Sequence, residues 1–135
     1  TVVHNMRNII NMRNLLIGIL ILTLSSCHLI GKGNGIKFKI ENNSDLTITN
    51  IKFYTSEKLT IAEYDKIEPN EKISDFLSMK KNKSDGEYIL EFTRKNGKKE
   101  KSNGGYYTNG GAMDRWIEFN VKSDTTFVKL SGMKY

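Results

Sequence analysis

Several residue types are scarce in this chain, and each shortage excludes a class of protein. Among its 135 residues there is one cysteine, Cys27, so no disulfide within the chain can stabilise the fold. Both histidines, His4 and His28, lie near the N-terminus. The remainder therefore lacks the base of a Ser-His-Asp or Cys-His site and the usual zinc ligands. One proline, Pro69, is consistent with uninterrupted strands elsewhere.

A long hydrophobic run is also missing. The most apolar stretch, residues 15–24, has ten residues, whereas a membrane-spanning helix needs about 20. Arg13 precedes this stretch, and two small serines follow it before Cys27. This order resembles a bacterial lipoprotein signal peptide that ends in the lipobox Leu24-Ser25-Ser26-Cys27. The alternatives are a signal anchor or a buried core helix.

The resemblance implies diacylglycerol on the Cys27 thiol, cleavage before Cys27 and acylation of the new amine. The protein would then be attached to a membrane of the bacterial cell envelope by its lipid. Residues 28–31, after the cysteine, contain no acidic side chain, unlike surface-export signals of Bacteroidota lipoproteins. We therefore expect an outer-membrane location facing the periplasm.

Three segments follow from this interpretation. Residues 1–26 are upstream residues and signal peptide, residues 27–35 are the lipidated cysteine and a glycine-rich tether, and residues 36–135 are one domain. Without Arg7 and Arg13 the formal charge falls from +6 to +4. This mild excess does not predict a nucleic-acid partner.

A period of two dominates the domain. Apolar Ile36, Phe38 and Ile40 alternate with charged residues, which indicates a half-buried strand. Further on, Ile48 and Ile51 are out of phase, and an extra residue near Asn50 would restore the alternation. We therefore predict a β-bulge at Asn50.

The clearest strand is 87–94, where Tyr88, Leu90 and Phe92 share one face and should point into the core. Asn96-Gly97 predicts a two-residue hairpin turn with both residues at positive φ, and a return strand over 98–102. Other strands are expected near 46–53, 59–62, 73–79, 116–121 and 125–130. No window shows a helical period. The prediction is an all-β fold, an antiparallel β-sandwich of seven to eight strands.

The run Asp85-Gly86-Glu87-Tyr88-Ile89-Leu90 resembles the entry to a late strand in immunoglobulin-like sandwiches, where a tyrosine corner precedes a core position by two residues. As a whole, the domain resembles small β-sandwich lipoproteins of Bacteroidota envelopes. This resemblance implies fold and location, and no activity.

No motif predicts an enzyme, a cofactor or a metal. Asp114 and Glu118 would lie ~13 Å apart on one strand, which exceeds the ~9.5 Å limit for paired glycosidase carboxylates. Both are expected to face solvent, so a small envelope enzyme is a remote alternative. Asp124-Thr125-Thr126 resembles a Bacteroidota O-glycosylation pattern, which leaves modification of Thr125 open.

Two surfaces could bind a partner. One is a basic hairpin, whose cationic residues are Arg94, Lys95, Lys98, Lys99 and Lys101. It is either a solvated tip that discourages edge pairing or a contact for anionic lipid.

The other surface is a glycine-rich loop, residues 103–115, with the neighbouring Trp116. Tyr106, Tyr107, Asn109 and Trp116 could hold a sugar or a peptide. Alternatively, Tyr106 and Trp116 fold inward. Only one of two adjacent tyrosines in an extended segment can face the core, and we predict that Tyr107 faces outward and contacts the partner.

These observations favour a lipid-anchored, non-enzymatic envelope protein that binds a protein or glycan partner. The alternative is an immunity-type or structural envelope lipoprotein.

Overall fold

The computed structural model describes residues 33–132, and within them the fold consists of strands without a helix. The predicted signal peptide, Cys27 and most of the predicted tether lie outside the described residues. The strands are β1 Gly35–Asn42, β2 Ile48–Thr55, β3 Ile61–Ile67, β4 Lys72–Ser78, β5 Gly86–Thr93, β6 Lys99–Thr108, β7 Gly111–Ala112, β8 Trp116–Val121 and β9 Thr126–Leu130. No helix of this region could cross a membrane.

Two sheets are formed from these strands. The four-stranded sheet has the order β4-β1-β8-β9, and the five-stranded sheet has the order β3-β2-β5-β6-β7. The prediction of an all-β fold is therefore confirmed, while the strand count is nine in the described region instead of seven or eight. The additional strand, β7, is two residues long, which is too short to produce a periodic pattern in the sequence.

One strand pair departs from the predicted antiparallel arrangement. β8 lies parallel to β1, with Lys37 opposite Trp116 and Asn42 opposite Val121, whereas β4 lies antiparallel on the other side of β1. The two paired strands are separated by more than 70 residues, so the connection is long enough to allow a parallel pair. Both alignments place alternate β1 residues inward, and sequence periodicity therefore does not distinguish them.

The core lies between the inner faces of the two sheets. Ile36, Phe38 and Ile40 from β1 are buried against residues of the other sheet, as the alternating pattern predicted. The ring of Phe53 on β2 lies 4.4 Å from the ring of Phe38 and 5.8 Å from that of Phe119 on β8. Because these rings come from both sheets, the aromatic contacts join the two layers. The whole core cluster belongs to residues 36–121.

The predicted bulge at Asn50 is confirmed. Asn50 has φ of 51°, and the pairing between β2 and β5 shifts register between Thr49 and Lys52. Three steps along β2 match two steps along β5, so Ile48 and Ile51 both face the core although they are three residues apart.

The hairpin between β5 and β6 has a different turn from the predicted one. The Gly97 N–H donates to the Arg94 carbonyl at 2.8 Å, and the Arg94 N–H donates to the Lys98 carbonyl at 2.8 Å. Gly97 has φ of 84°, whereas Asn96 does not have a positive φ. The loop is therefore a three-residue turn with a glycine bulge, in which Gly97 alone needs the left-handed conformation.

Candidate functional site

The two adjacent tyrosines point in the opposite directions from those predicted. Tyr107 is fully buried, and Tyr106 is 51% exposed. Residues 103–108 belong to β6 and do not form a loop, and Gly105, with φ of 68°, adds one residue where the β5–β6 register shifts. Before Gly105 the even-numbered residues face inward, and after it Tyr107 does. Tyr107 is therefore a packing residue, and the prediction that it contacts a partner is wrong.

Tyr107 is part of a hydrogen-bond network centred on Glu57. The Tyr107 hydroxyl donates to the Glu57 carboxylate at 3.1 Å, and the Asn82 side-chain amide donates to it at 2.8 Å. The backbone N–H groups of Lys83 and Ser84 donate at 3.1 and 3.3 Å. Desolvation raises the pKa of Glu57, but the hydrogen bonds from Lys83, Ser84 and Asn82 outweigh it and lower the pKa to about 2. The carboxylate holds the 82–84 loop against β2 and β6.

The other residues of the predicted aromatic site are divided between two surfaces. Asn109 is exposed at a turn, and its backbone N–H donates to Asp85 at 2.8 Å. The Tyr106 hydroxyl also hydrogen-bonds to Asp85, which raises the pKa of Tyr106. Trp116, in contrast, begins β8 in the other sheet, where it is 40% exposed and pairs with Lys37. The structure therefore does not join Tyr106 and Trp116 in one site.

Two further predictions concern the burial of Tyr88 with Leu90 and the exposure of Asp114. Tyr88 and Leu90 are fully buried, as predicted. The Tyr88 hydroxyl has no hydrogen-bond partner among residues 33–132, so the hydrogen bond of a tyrosine corner is not formed there. Asp114 is 6% exposed, which corrects the prediction that it faces solvent; it precedes β8 and is not in the alternating segment. Burial, followed by the Asp114 charge, raises the pKa of Tyr88.

Arg94 in the basic hairpin is held internally and is not an exposed cation. Its guanidinium makes two hydrogen bonds to Glu100, at 2.7 and 2.9 Å, and a third at 2.8 Å to the Lys122 carbonyl. The Arg94 side chain is 11% exposed, and its guanidinium carbon lies 5.3 Å from the centre of the Phe92 ring. The reason is strand phase, since Arg94 continues the inward series of Tyr88, Leu90 and Phe92. It fastens the hairpin to the β8–β9 turn.

The lysines of the hairpin remain outside. Lys95, Lys98, Lys99 and Lys101 are exposed. Lys98 lies 3.1 Å from Glu100, a carboxylate already held by Arg94. The hydrogen bonds from Arg94 lower the pKa of Glu100. Burial acts in the opposite direction, but Arg94 and Lys98 together outweigh it. Lys99 and Lys101 form no ion pair within the described residues. Four of the five predicted basic residues thus project from the hairpin.

Two concave surfaces flank this hairpin. One is a groove of about 170 Å³ between the 44–48 segment and residues 94–96, and Ser123 closes it. Leu46, which is 56% exposed, contributes apolar surface to this groove. The other concavity, of about 400 Å³, lies beside the Asn50 bulge, and its cationic lining residues are Lys52, Lys99 and Lys101. We call the hairpin and these two concavities the hairpin end.

The hairpin end and the N-terminal end of the fold lie at opposite ends of β1. The chain enters at Asn34, whose side chain donates to the Met79 carbonyl at 3.1 Å and to the Gly110 carbonyl at 2.7 Å. These bonds attach the predicted tether residue Asn34 to the fold. At the other end of β1, Asn42 lies beside Val121, one residue before the Lys122 carbonyl that binds Arg94. Seven residue steps of ~3.3 Å separate the two ends by ~23 Å. We call the first one the entry end.

Sequence reasoning missed Glu57, Asn82 and Leu46. The partners of Glu57 lie 25 to 50 residues away along the chain, so no local pattern identifies it. The alternating pattern places Leu46 in a strand, although it lies in the loop before β2. Among residues 33–132, His, Cys, Asp and Glu side chains do not form a group of three or more that could hold a metal ion.

Comparison with known proteins identifies no family. No protein-family model matches the sequence, and no curated protein is similar to it. One solved structure is similar, an NMR structure of a protein from Eubacterium rectale, with 9% sequence identity and a TM-score of 0.49. The similarity covers 77% of this chain and 95% of that protein.

Proposed function

We propose that the chain is a lipid-anchored, non-enzymatic binding module of a bacterial cell envelope, and that a protein or glycan partner docks at the hairpin end. The observation that carries this proposal is the separation of the two ends of the domain. Cys27 lies six residues before Gly33, where the described fold begins, and six residues reach ~21 Å at most. The groove and the outward lysines lie at the far end of β1.

The composition of the hairpin end supports a binding role. A groove with one exposed leucine offers apolar contact, and the outward lysines of the hairpin provide charge that can steer an acidic partner. Arg94, because it is locked to Glu100 and Lys122, holds these groups in place. A preformed surface loses less entropy on binding than a mobile one. The entry end, in contrast, is occupied by its own hydrogen bonds around Glu57.

We also propose that the sandwich is of the immunoglobulin-like type. Its support is the order of the strands: β1 pairs with β4 in one sheet, while β2, β3, β5 and β6 form the other in the order β3-β2-β5-β6. An immunoglobulin variable domain pairs its B and E strands in one sheet and orders C′, C, F and G in the other. In this chain β8 occupies the position beside β1 that the first strand of an immunoglobulin domain occupies beside its B strand, and β8 runs parallel to β1.

Lipid attachment is tested by metabolic labelling with a fatty-acid analogue. We expect label on the wild-type chain, and we expect none on Cys27→Ala, which should accumulate as an unprocessed precursor. Equal labelling of Cys27→Ala would contradict the anchor. The bacterium is expected to place the labelled protein in its outer membrane.

Partner binding is tested by a photo-crosslinking side chain placed at Lys99 in living cells. The matched position is Lys81, which is exposed beside the entry end. We expect a discrete crosslinked product from Lys99 and none from Lys81, and loss of the Lys99 product in a Lys95→Glu/Lys98→Glu background. Crosslinks from Lys81 alone would place the partner elsewhere. A toxin domain as the crosslinked partner would identify the chain as an immunity-type lipoprotein.

A further inference from the structure

The outward face of the four-stranded sheet exposes large aromatic side chains. Trp116 and Phe127 are 40% and 56% exposed, and the strand register places both on the side opposite the core. Trp116 lies beside Lys37 on β1, and Phe127 lies beside Asn120 on β8. Phe76 from β4 shares this face and covers Gly35, where a Cβ would lie 2.4 Å from the ring. We call this surface the tryptophan face.

The charges on the tryptophan face are predominantly positive. Lys39 lies 3.0 Å from Glu118 and 3.5 Å from Glu41, so one lysine serves both outward carboxylates. Within the described part of the chain the other outward lysines form no ion pair, and they are Lys37, Lys72 and Lys129. A surface that combines exposed aromatic rings with unpaired lysines complements an anionic lipid surface, because rings enter the interface while ammonium groups remain at the headgroups.

The outward face of the other sheet has a more balanced charge. On its outward face Lys52 is paired with Glu63 at 2.8 Å, and the Lys58 ammonium lies 5.0 Å from the centre of the Tyr54 ring. Tyr54 is 1% exposed, and its hydroxyl donates to Glu91. Ile61 is the aliphatic residue exposed on β3, at 42%. Tyr106 on β6 is exposed on this face, but its hydroxyl hydrogen-bonds to Asp85. Glu91 lies opposite both Lys52 and Lys101 in the strand register, so this face lacks the excess of positive charge found on the tryptophan face.

The position of the tryptophan face relative to the chain entry favours lipid as its occupant. Lys37 is four residues after Gly33, and only five residues separate Gly33 from Cys27. A lipid held at Cys27 would keep the membrane within the reach of this short segment, which raises the effective concentration of lipid at the face. Contacts that are weak in free solution would then be formed.

We propose that the tryptophan face lies against the anionic lipid surface to which Cys27 is attached, with Trp116 in the membrane interface. This inference rests on the proposed anchor. It gives the domain a defined orientation, in which one sheet contacts lipid and the other sheet, with the Asn50 concavity, remains accessible. Stable attachment would then combine the acyl chains with a cationic surface.

The chain contains its own probe, because Trp116 is its sole tryptophan and Cys27 its sole cysteine. Residues 27–135 are coupled through the Cys27 thiol to a maleimide lipid in vesicles of phosphatidylcholine and phosphatidylglycerol that include brominated lipid. We expect the Trp116 emission to shift to shorter wavelength and to be quenched by the bromine atoms. This coupling does not depend on whether cells acylate Cys27, so failure of the anchor and failure of the face are distinguished.

The matched control moves the tryptophan to the other sheet. In Trp116→Phe/Ile61→Trp the new tryptophan replaces a residue of similar exposure, 42% against 40%. We expect its emission to remain unquenched, and we expect Lys37→Glu/Lys129→Glu to abolish quenching of Trp116. Unquenched Trp116 in the coupled wild-type chain, or equal quenching in the control, would overturn the proposal. Shielding of Trp116 by an added glycan with no lipid quenching would assign the face to a glycan instead.

Discussion

At the entry end of the domain, Glu57 accepts four hydrogen bonds from two segments, the 82–84 loop and β6, and Tyr107 is buried beneath it. At the hairpin end one side chain, Arg94, makes the corresponding connections, and four lysines remain in solvent. Hydrogen bonds of one side chain therefore hold each end together, but the two ends differ in which polar groups remain available to a partner. The polar groups around Glu57 are used within the fold, whereas the lysines of the hairpin end can meet a partner. Separate substitutions at the two ends should show this division.

The largest effect is expected for Tyr107→Ala. It removes a fully buried ring that lies 5.8 Å from the Tyr88 ring, and loss of a buried aromatic side chain costs about 3–5 kcal/mol. The neighbouring Tyr106→Ala removes a ring that is 51% exposed and should change the free energy of unfolding by less than ~1 kcal/mol. Urea denaturation of both variants measures the difference. Equal losses would show that the bulge at Gly105 does not set the strand phase.

Gly105→Ala should come next, at about 2–4 kcal/mol, because backbone strain adds to overpacking. At φ of 68° a Cβ would lie 2.8 Å from the Tyr88 ring and 2.9 Å from Leu130. Gly97 in the hairpin turn has φ of 84° but nothing within 4 Å of a Cβ. Gly97→Ala should therefore lower the free energy of unfolding only by the energy of placing alanine in the left-handed conformation, roughly 1 kcal/mol. Thermal unfolding compares the two, and a larger loss for Gly97→Ala would contradict the packing assigned to β6.

At the hairpin end, Arg94→Ala should cost about 1–3 kcal/mol, since it leaves Glu100 without its main donor. Lys98 is paired with the same carboxylate, but its side chain is 65% exposed and Lys98→Ala should cost at most ~1 kcal/mol. Chemical denaturation checks both. If Lys98→Ala proved as costly as Arg94→Ala, the lysines would be structural, and their availability to a partner would be in doubt.

The smallest effect is expected in the pH dependence at the entry end. Glu57 has its pKa lowered from an ordinary value near 4.5 to about 2. A lowered pKa stabilises the fold above the ordinary value, and this contribution is lost as the pH falls from about 4.5 to 2. In Glu57→Gln the decline of stability across this window should be shallower than in the wild type. Parallel stability curves would show that the hydrogen bonds from the 82–84 loop do not favour the charged carboxylate.

The strand pattern could be predicted because apolar residues occupy the inward positions, so the alternation within one short segment identifies the inward face of that strand. Periodicity placed Tyr88, Leu90 and Phe92 correctly, and the broken period at Asn50 located a bulge. The same reasoning failed at Tyr107, because the inserted residue at Gly105 reverses the alternation and glycine has no side chain to reveal it. Arg94 could have been assigned inward by extending the series from Phe92.

The remaining features depend on residues that are distant along the chain. The parallel pairing of β1 with β8 and the donors to Glu57 join segments separated by 25 residues or more. A local pattern contains no information on which distant segment will approach. The same limit applies to the site, since the exposure of the hairpin lysines was predictable, whereas the groove beside Leu46 required the fold.

The central claim, that the hairpin end carries the partner surface, is tested most directly by lysine acylation with a small reagent. Reactivity is compared, by mass spectrometry, between intact envelopes and the purified domain. We expect Lys95, Lys98 and Lys99 to be protected in envelopes and reactive in the purified protein, while Lys81 and Lys83 at the entry end react equally in both. Hairpin lysines that react equally in both preparations would contradict the account.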